Sequence, residues 1–297
     1  MKISVLICTY NRSEKLIKCL QSIEKSLIKA APISSEIVIV DNNSTDDTRL
    51  KVKEWSNNCQ YSVIIDKEAK QGIAYARNKS IEVAQGDLFI CIDDDCTIDE
   101  DYILNVLKYY RHDTDIIIRF GYIGLGDTKD WPIAIQTRTT TKRWKKYDPE
   151  SDILTMGDIT GGNMVLPKSV IHKVGKYDTR FGTKSIPGGE DVDYGFRAYN
   201  SGFTLAYAPD IRAYHFHGRD NAVAVINIIK NYSIAAGALY AKHRLSHPRL
   251  KKILNKELLA SINKIEKDID PRAIIIRRYY RKYKVYNIVG IINYFFA

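Results

Sequence analysis

Apolar runs of strand length alternate with amphipathic stretches in the first third of the chain. The runs occupy residues 3–8, 36–40, 61–65 and 87–92. Uninterrupted apolar runs are typical of strands that are buried on both faces of a parallel sheet. Between the runs, the stretches from Leu16 to Leu27, up to Trp55 and over residues 72–86 indicate helices. This alternation predicts a doubly wound sheet, whose ligands bind beyond the carboxyl ends of the strands.

The pattern is less regular from about residue 113 onward. Residues 115–126 predict strands, and the polar, basic stretch 137–146 predicts a loop. Residues 160–175 indicate a glycine turn, a short strand and a helix that starts after a proline. We expect another helix after the motif "PGGED", two short strands within 203–219 and helical structure over 221–268.

Charge separates the C-terminal part of the chain from the rest. The 297 residues have an ordinary globular composition, with 45% hydrophobic and 27% charged residues. Residues 222–297 hold fifteen Lys or Arg and four Asp or Glu, so this segment accounts for the whole net charge of +10. Nucleic acid and anionic membranes are the usual partners of such a segment, and a solvated helical face is the alternative.

Cysteine spacing and the terminal sequence predict a cytosolic protein. The five cysteines lack CxxC spacing, which argues against a disulfide framework or a zinc cluster. The N-terminus lacks the longer apolar core and the cleavage site of a signal peptide. No run has the eighteen or so apolar residues of a membrane span, so we expect a protein that is not integral to a membrane.

Three adjacent aspartates follow the fourth apolar run. Carboxylates within about 7 Å of one another repel by a few kcal/mol unless a cation or donors lie among them. On a continuing strand, Asp93 and Asp95 would share one face and Asp94 would point to the other. Because Mg²⁺ and Mn²⁺ take one or two carboxylates together with substrate phosphates, the pair predicts a divalent cation. The alternative is a solvated acidic turn that caps a helix starting near Asp99.

Polar residues at other strand ends could bind a nucleotide. Asp41 ends the second run, where its carboxylate could accept a hydrogen bond from an imide N–H such as that of uracil or thymine. Its alternative role is to cap the following helix. Arg77 and Asn78 follow Gly72 and could hold base, ribose or phosphate groups, although most helical arginines lie in solvent or pair with carboxylates.

Two further groups carry candidate chemistry. Glu190, Asp191 and Asp193 fall in the first turn of a predicted helix, where acids are ordinary stabilising features. A carboxylate at this position could also accept the proton of an attacking hydroxyl. His215 and His217 share one strand face and are either structural or supply a third protein ligand to the metal ion.

The motifs resemble, in order and near spacing, those of family 2 glycosyltransferases with the GT-A fold. They are "VLICTYNR", "EIVIVDNNSTD", "GIAYARN", "FICIDDDC", "GGNMVLPKSV", "GGEDVDYGFRAYNSGF" and "YHFHGR", and the resemblance spans residues 3 to about 218. It implies an α/β, Rossmann-like nucleotide-diphospho-sugar transferase fold with a mixed central sheet. The implied domain covers residues 1–220, with a nucleotide-binding half over 1–112 and an acceptor-binding half over 113–220. A helical basic region follows over residues 221–297.

The resemblance also implies a role for each motif residue. The nucleotide-sugar pocket would include Thr9, Tyr10, Arg12, Asp41, Asn43, Arg77, Asp93, Asp94, Gly161, Gly162 and Asn163. Asp93 and Asp95 look like the two acids of the DxD motif, with Asp95 as the direct ligand of Mn²⁺ or Mg²⁺. His215 matches the family's late histidine better than His217 does. Asp191 looks like the catalytic base, with Glu190 beside it.

These roles imply a single displacement with inversion at the anomeric carbon. A carboxylate takes the proton of a sugar hydroxyl, and a metal ion stabilises the departing nucleoside diphosphate. We expect a UDP- or dTDP-sugar donor and a glycan or lipid-linked acceptor, in polysaccharide biosynthesis. The chain lacks the QxxRW motif of the processive synthases, so we expect one sugar per acceptor. Because Asp94 occupies the middle of DxD, the choice of ligands among the three acids stays open.

Two other classes of protein compete with this interpretation. A nucleotidyltransferase also combines an α/β sheet, a nucleotide and a divalent ion, but it needs a glycine-rich loop, and "ICTYNRSEK" has no glycine. The second class is a non-catalytic module that binds membranes or nucleic acid through the basic tail. In the glycosyltransferase we expect no nucleic acid partner. Peripheral contact with the inner face of the membrane, homodimerisation and core packing stay open as roles of the tail.

Overall fold

One mixed sheet organises residues 1–148, 150–152, 154–259 and 271–297, which are the residues that the computed structural model describes. Its strands are β1 (Ile3–Thr9), β2 (Ser35–Asp41), β3 (Ser62–Lys67), β4 (Leu88–Ile92), β5 (Cys96–Ile98), β6 (Ile117–Leu125), β7 (Lys142–Trp144), β8 (Asn163–Pro167) and β9 (Thr204–His215). Their order is β3-β2-β1-β4-β8-β6-β9-β5, and β7 pairs with β9.

Helices cover the sheet and form the C-terminal part of the chain. They are α1 (Ser13–Lys29), α2 (Thr48–Ser56), α3 (Ile73–Val83), α4 (Tyr102–His112), α5 (Lys168–Val174), α6 (Glu190–Asn200), α7 (Ala222–His243), α8 (Pro248–Leu259), α9 (Pro271–Tyr283) and α10 (Tyr286–Phe296). The part of the expected helical stretch that falls at 260–268 lies outside the described residues.

The first half of the sheet is parallel, as the apolar runs predict. β3, β2, β1 and β4 are all parallel neighbours. Alternate residues of β1 enter two different cores: Val5 and Ile7 pack with α1, whereas Leu6 packs on the opposite face with residues of α3. β3 is the edge strand and is less buried than expected, with Ile65 43% exposed. The helix over 72–86 begins as predicted but ends earlier, at Val83.

The second half of the sheet is mixed. β8 lies between β4 and β6 and is antiparallel to both, whereas β9 is parallel to β6. The two short strands expected within 203–219 are one strand, whose pairing with β6 shifts between Gly121 and Tyr122. Pro209 falls in that shift, and a proline lacks the N–H that a sheet requires. β7 lies within the stretch that was expected to be a loop.

α7 corrects one expectation from the sequence. Its 22 residues are long and apolar enough to cross a membrane, so the expectation that no segment reaches this length is wrong. Length and composition alone do not define a membrane span, because the core helix of a soluble protein can be equally long and apolar. In α7 the side chains of Val225, Ile229 and Leu239 are buried inside the protein.

Two glycines allow α7 and α10 to cross closely. A methyl group on Gly290 of α10 would overlap the carbonyl oxygen of Ile234, and one on Gly237 of α7 would overlap that of Asn287. Backbone atoms cannot turn away as a flexible side chain can, so a larger residue at either position would push the two helices apart.

Gly290→Val is expected to lower the free energy of unfolding by about 1–3 kcal/mol, because overpacking at a backbone contact displaces a helix. Chemical denaturation would measure this loss. The matched control is Gly157→Ala, since an added methyl group there meets no atom closer than 3.9 Å. Equal stability of the two variants would contradict the close crossing of α7 and α10.

Candidate functional site

The carboxyl ends of β1, β2 and β4 bring polar residues to one edge of the sheet. Thr9 pairs with Asp41 in the register of β1 and β2, and both residues are buried. Asp41 accepts hydrogen bonds from the backbone N–H of Ser44 at 2.9 Å and from Arg49 Nε at 2.5 Å. Burial opposes ionisation, but these two donors lower the pKa of Asp41 below its ordinary value. The carboxylate is therefore held ionised at the end of β2.

Tyr10 and Asn43 lie on the surface at the same edge. Tyr10 is 45% exposed, and Asn43 is exposed with a φ of 71° in the left-handed region. Asparagine is among the few residues that adopt this conformation readily. Both side chains are therefore open to a ligand that binds over the ends of β1 and β2.

The three aspartates occupy a turn rather than a strand. β4 ends at Ile92, and the N–H of Cys96 donates to the carbonyl oxygen of Asp93 at 3.0 Å. The condition for strand alternation, a strand that continues through the three aspartates, is therefore not met. Arg12 Nη1 lies 2.7 Å from Asp94 Oδ1 and 2.9 Å from Asp95 Oδ2. Arg12 thus supplies the positive charge that offsets the repulsion between these two acids.

The two acids beside Arg12 ionise differently. Burial raises the pKa of Asp94 to about 6, although the charge of Arg12 opposes this shift. Burial also acts on Asp95, but the hydrogen bond from His215 and the charges of His215 and Arg12 hold its pKa well below the usual range. Asp95 is therefore the acid of this pair that stays ionised over a wide pH range.

Asp95, Cys96 and His215 form a group that could hold a metal ion. Their ligand atoms lie within 4.8 Å of one another, and all three residues are buried. Asp95 Oδ1 lies 3.1 Å from His215 Nε2, and Asp95 Oδ2 lies 2.9 Å from Arg12 Nη1. The other ring nitrogen of His215 lies 3.2 Å from the carbonyl oxygen of Ala134, which orients the ring. A buried carboxylate beside an imidazole is a ligand set that divalent ions take, so the residues present are compatible with a divalent metal ion.

His217 does not join this group. Its Nδ1 accepts a hydrogen bond from the N–H of Arg219 at 3.0 Å, and its Nε2 lies 3.2 Å from the carbonyl oxygen of Trp131. Burial, together with the charge of His215, lowers the pKa of His217 to about 4. The structure thus places His215 beside Asp95, whereas His217 contacts backbone groups of Trp131 and Arg219.

Arg77 connects the acidic turn with α6. The side chain is buried, with Nη1 donating to the carbonyl oxygen of Gly161 at 3.1 Å. Nη2 lies 3.3 Å from Asp93 Oδ1, and Nε lies 3.4 Å from Glu190 Oε1. Arg77 thus pairs with carboxylates, which was the alternative to holding base, ribose or phosphate groups. One guanidinium joins acids from the turn after β4 and from α6.

Gly161 and Gly162 are required by this close packing. A methyl group on Gly161 would overlap the guanidinium of Arg77 and the Cβ of Asp191, and one on Gly162 would overlap the carboxylate of Asp93. The backbone N–H of Gly161 also donates to Asp191 Oδ2 at 2.6 Å. The glycine pair thus lets three functional side chains approach one stretch of backbone.

Asp191 and Glu190 both bind protons more readily than free carboxyls. Burial raises the pKa of Asp191 despite the charge of Arg77 and hydrogen bonds from the N–H groups of Gly161 and Val192. Burial and the charge of Asp191 raise the pKa of Glu190 to about 7. A pair of carboxyls with raised pKa values can exchange protons near neutral pH.

Asn163 serves the core rather than the surface of the site. Its side chain is fully buried, accepts from Tyr102 Oη at 2.7 Å and donates to the carbonyl oxygens of Tyr122 and Ile211 at 2.9 Å. Contact with a sugar would break these three hydrogen bonds. This geometry gives Asn163 a structural role and corrects its expected place in the donor pocket.

Sequence reasoning missed the partners of Asp193. This buried carboxylate lies 2.6 Å from Lys242 Nζ and 2.8 Å from His243 Nε2, and its other oxygen lies 2.9 Å from Arg197 Nε. Despite burial, these partners lower the pKa of Asp193. The basic end of α7 is thus bound to the first turn of α6. The sequence signal was present only as two basic residues at the end of an apolar stretch.

The fold and the site together define a class of enzyme. The mixed central sheet with its helical C-terminal region is the GT-A fold of glycosyltransferases. The family model for glycosyl transferase family 2 matches residues 4–175. The chain belongs to this family.

Curated relatives have related activities. The chain is 29% identical over 169 residues to a dolichol-phosphate mannosyltransferase of Pyrococcus furiosus, covering 57% of this chain and 42% of that protein. It is 25% identical over 198 residues to a glucosyl-dolichyl phosphate glucuronosyltransferase of Haloferax volcanii, covering 62% of this chain and 58% of that protein. The chain therefore spans about half the length of these relatives.

Solved structures share the fold. The mannosyltransferase PcManGT from Pyrobaculum calidifontis, in complex with GDP-Man and Mn²⁺, aligns with a TM-score of 0.62 at 16% identity, covering 99% of this chain and 86% of that chain. S. aureus TarS in complex with UDP-GlcNAc aligns with a TM-score of 0.62 at 15% identity, covering 99% of this chain and 89% of that chain. Both likenesses extend over the C-terminal helices.

Arg77→Met is expected to destabilise the protein by about 3–5 kcal/mol at pH 8, because it leaves buried carboxylates without their cation. The loss is expected to be smaller at pH 5. A carboxyl with a raised pKa loses stability as the pH rises from its unfolded value towards its folded value. Arg77 lowers the pKa of Glu190, so the folded-state pKa of Glu190 rises further when Arg77 is removed. Stability then continues to fall up to a higher pH as Glu190 ionises. Thermal unfolding at both pH values would measure the difference.

The control for this experiment is Arg111→Met, the same substitution at an exposed position on α4. It is expected to change stability by less than about 0.5 kcal/mol at either pH. If the loss in Arg77→Met were equal at pH 5 and pH 8, Arg77 would not balance the charge of ionised carboxylates.

Proposed function

We propose that this glycosyltransferase moves one sugar, with inversion, from a UDP- or dTDP-sugar to a hydroxyl of a glycan or lipid-linked acceptor. The observation that carries the proposal is the position of Asp191, held by the N–H of Gly161 beside the contacts of Arg77 with Asp93. This arrangement links the turn at the end of β4 to a carboxyl that binds protons. A base and a leaving-group site in one connected cluster suit a single displacement.

Asp191 acts as the general base in this mechanism. The acceptor oxygen attacks the anomeric carbon while its proton passes to the carboxylate of Asp191. The bond from the anomeric carbon to the phosphate oxygen breaks, and its electron pair leaves with the nucleoside diphosphate. Glu190, whose raised pKa favours the protonated form, keeps a second negative charge away from Asp191.

Asp95 and His215 would hold the divalent ion, with Mn²⁺ and Mg²⁺ as the candidates. Such an ion stabilises the negative charge of the departing diphosphate. Asp95 supplies a buried, ionised carboxylate, and His215 supplies a ring oriented by the carbonyl oxygen of Ala134. Arg12 balances the remaining charge of Asp94 in the same turn.

Asp41 supports a pyrimidine donor. Its ionised carboxylate already accepts from Ser44 and Arg49, but each oxygen can accept a further hydrogen bond, such as that of an imide N–H. The two solved structures contain donors with different bases, GDP-Man and UDP-GlcNAc, so the proposal of a pyrimidine base rests on Asp41. The dolichyl phosphates in the names of two relatives support a lipid-linked acceptor. Family membership favours glycosyl transfer over nucleotidyl transfer.

Asp191→Asn is expected to lower turnover about 10²- to 10⁴-fold, because the amide cannot take the proton of the acceptor. Its affinity for UDP is expected to stay within about twofold of the parent, since the base lies outside the nucleotide pocket. Release of UDP from a donor chosen by thermal-shift screening would measure turnover, and calorimetry would measure binding. Asp101→Asn, at an exposed acid, is the control. Undiminished turnover would remove Asp191 from the role of base.

Asp95→Ala is expected to abolish the effect of Mn²⁺ on UDP binding. In the parent we expect UDP to bind at least about tenfold tighter with Mn²⁺ than without, and in the variant the difference should fall below about twofold. Cys96→Ala is the control, because burial raises the pKa of this thiol and Mn²⁺ prefers oxygen and imidazole ligands. Equal affinity of the parent with and without Mn²⁺ in calorimetry would contradict the metal site.

A further inference from the structure

The last two helices combine positive charge with exposed apolar side chains. Residues 271–297 contain six Lys or Arg and no Asp or Glu. The same stretch holds large apolar residues that are 36% to 88% exposed, namely Ile274, Ile275, Val285, Ile288, Val289, Ile292, Phe295 and Phe296. Monomeric soluble proteins rarely expose so many neighbouring apolar side chains, so this surface calls for a partner.

α10 has two distinct faces. Asn287 and Gly290 are buried where the helix crosses α7. Ile288, Ile292 and Phe295 are 58%, 51% and 63% exposed and recur at spacings of four and three, on the side away from that crossing. With Val289 and Phe296 they cover an arc of about 120° of the helix, at about 100° per residue. We call these five residues the outer stripe of α10.

α9 continues this surface with positive charge. Ile274, Arg278, Arg281 and Lys282 are exposed, and their spacings of four, seven and eight place them on one face of the helix. At the junction with α10, Lys230 Nζ of α7 lies over the rings of Tyr283 and Tyr286, at 5.1 Å and 5.6 Å from their centroids. Both helices are therefore anchored to α7 on one side and expose a basic or apolar face on the other.

We propose that α9 and α10 lie on the surface of a bilayer rich in anionic phospholipids, with the outer stripe buried among the lipids. Interfacial helices combine an apolar face with Lys and Arg, and tyrosines favour the headgroup region. Negative headgroups complement a segment that has no acid of its own. The partner is a lipid surface of matching charge.

The charge also argues against a second copy of this chain as the partner. In a two-fold symmetric dimer the same surface meets itself. The exposed bases of α9, which include Arg278, Arg281 and Lys282, would then lie in an interface to which residues 271–297 of either copy contribute no acid. Like charges across an interface disfavour association.

The proposed membrane face lies next to the start of α6. Asn293 Nδ2 of α10 donates to the carbonyl oxygen of Ser185 at 2.7 Å, and the guanidinium of Arg180 lies 4.4 Å from the ring of Tyr294. Both partners belong to the loop that leads into α6 and Asp191. Docking would therefore bring the acceptor side of the site to the lipid surface. This consequence rests on the proposed function, whereas the docking itself does not.

Co-flotation of the full chain with vesicles tests the docking and needs no catalytic activity. We expect binding to vesicles of phosphatidylcholine with phosphatidylglycerol and little binding to phosphatidylcholine alone. Each Lys or Arg near an anionic surface contributes about fivefold in partitioning, so the triple variant R278Q/R281Q/K282Q should bind about 100-fold more weakly. The triple variant I288S/I292S/F295S should also lose binding, because its apolar contacts with lipid are gone.

Matched controls carry the same substitutions elsewhere on the surface. L50S and L104S remove exposed apolar side chains from α2 and α4, and K53Q and R111Q remove positive charges from the same two helices. All four should bind vesicles like the parent, and far-ultraviolet circular dichroism should show that every variant is folded. The proposal is overturned if the parent ignores anionic vesicles, if the outer-stripe variant binds normally, or if light scattering shows a dimer that this variant converts to a monomer.

Discussion

A buried guanidinium is the constraint on which the rest of the site depends. Arg77 lies among Asp93, Glu190 and the carbonyl oxygen of Gly161, and only 7% of the residue is exposed. A buried cation is stable only where anions and carbonyl groups surround it, and those anions in turn require the cation. The turn after β4, the glycine pair and the start of α6 are therefore fixed together by a mutual requirement, not by separate contacts.

The sequence predicts those features whose causes are local. β1, β2 and β4 are mostly apolar, and such runs are typical of strands buried on both faces of a covered parallel sheet. Parallel neighbours end on the same edge, so the polar residues at their ends had to meet there. The register that pairs Thr9 with Asp41 follows from this arrangement. The fold is confirmed for this reason.

The sequence does not predict contacts that depend on the exact residue at which a strand ends. β4 ends one residue before Asp93, so alternation fails and both Asp94 and Asp95 reach Arg12. β9 ends at His215, and although the ring centroid of His217 lies 5.0 Å from that of His215, its nitrogens contact backbone groups of Arg219 and Trp131. Long-range pairing decided the rest: β5 pairs Cys96 with His215, and this register alone brings the imidazole to Asp95.

α7 is mostly apolar because it packs between α10 on one side and the start of α6 on the other. A helix that is apolar all round must be covered on every side, whether by lipid or by protein. Gly237 packs against α10 on one side, and Ala235 and Leu239 pack against Gly189 at the start of α6 on the other. At the end of α7, Lys242 and His243 are polar and neutralise the buried Asp193 of α6. The expected boundary at residue 220 is thus crossed by charges that need each other, so the first turn of α6 depends on the C-terminal helices for its electrostatic balance.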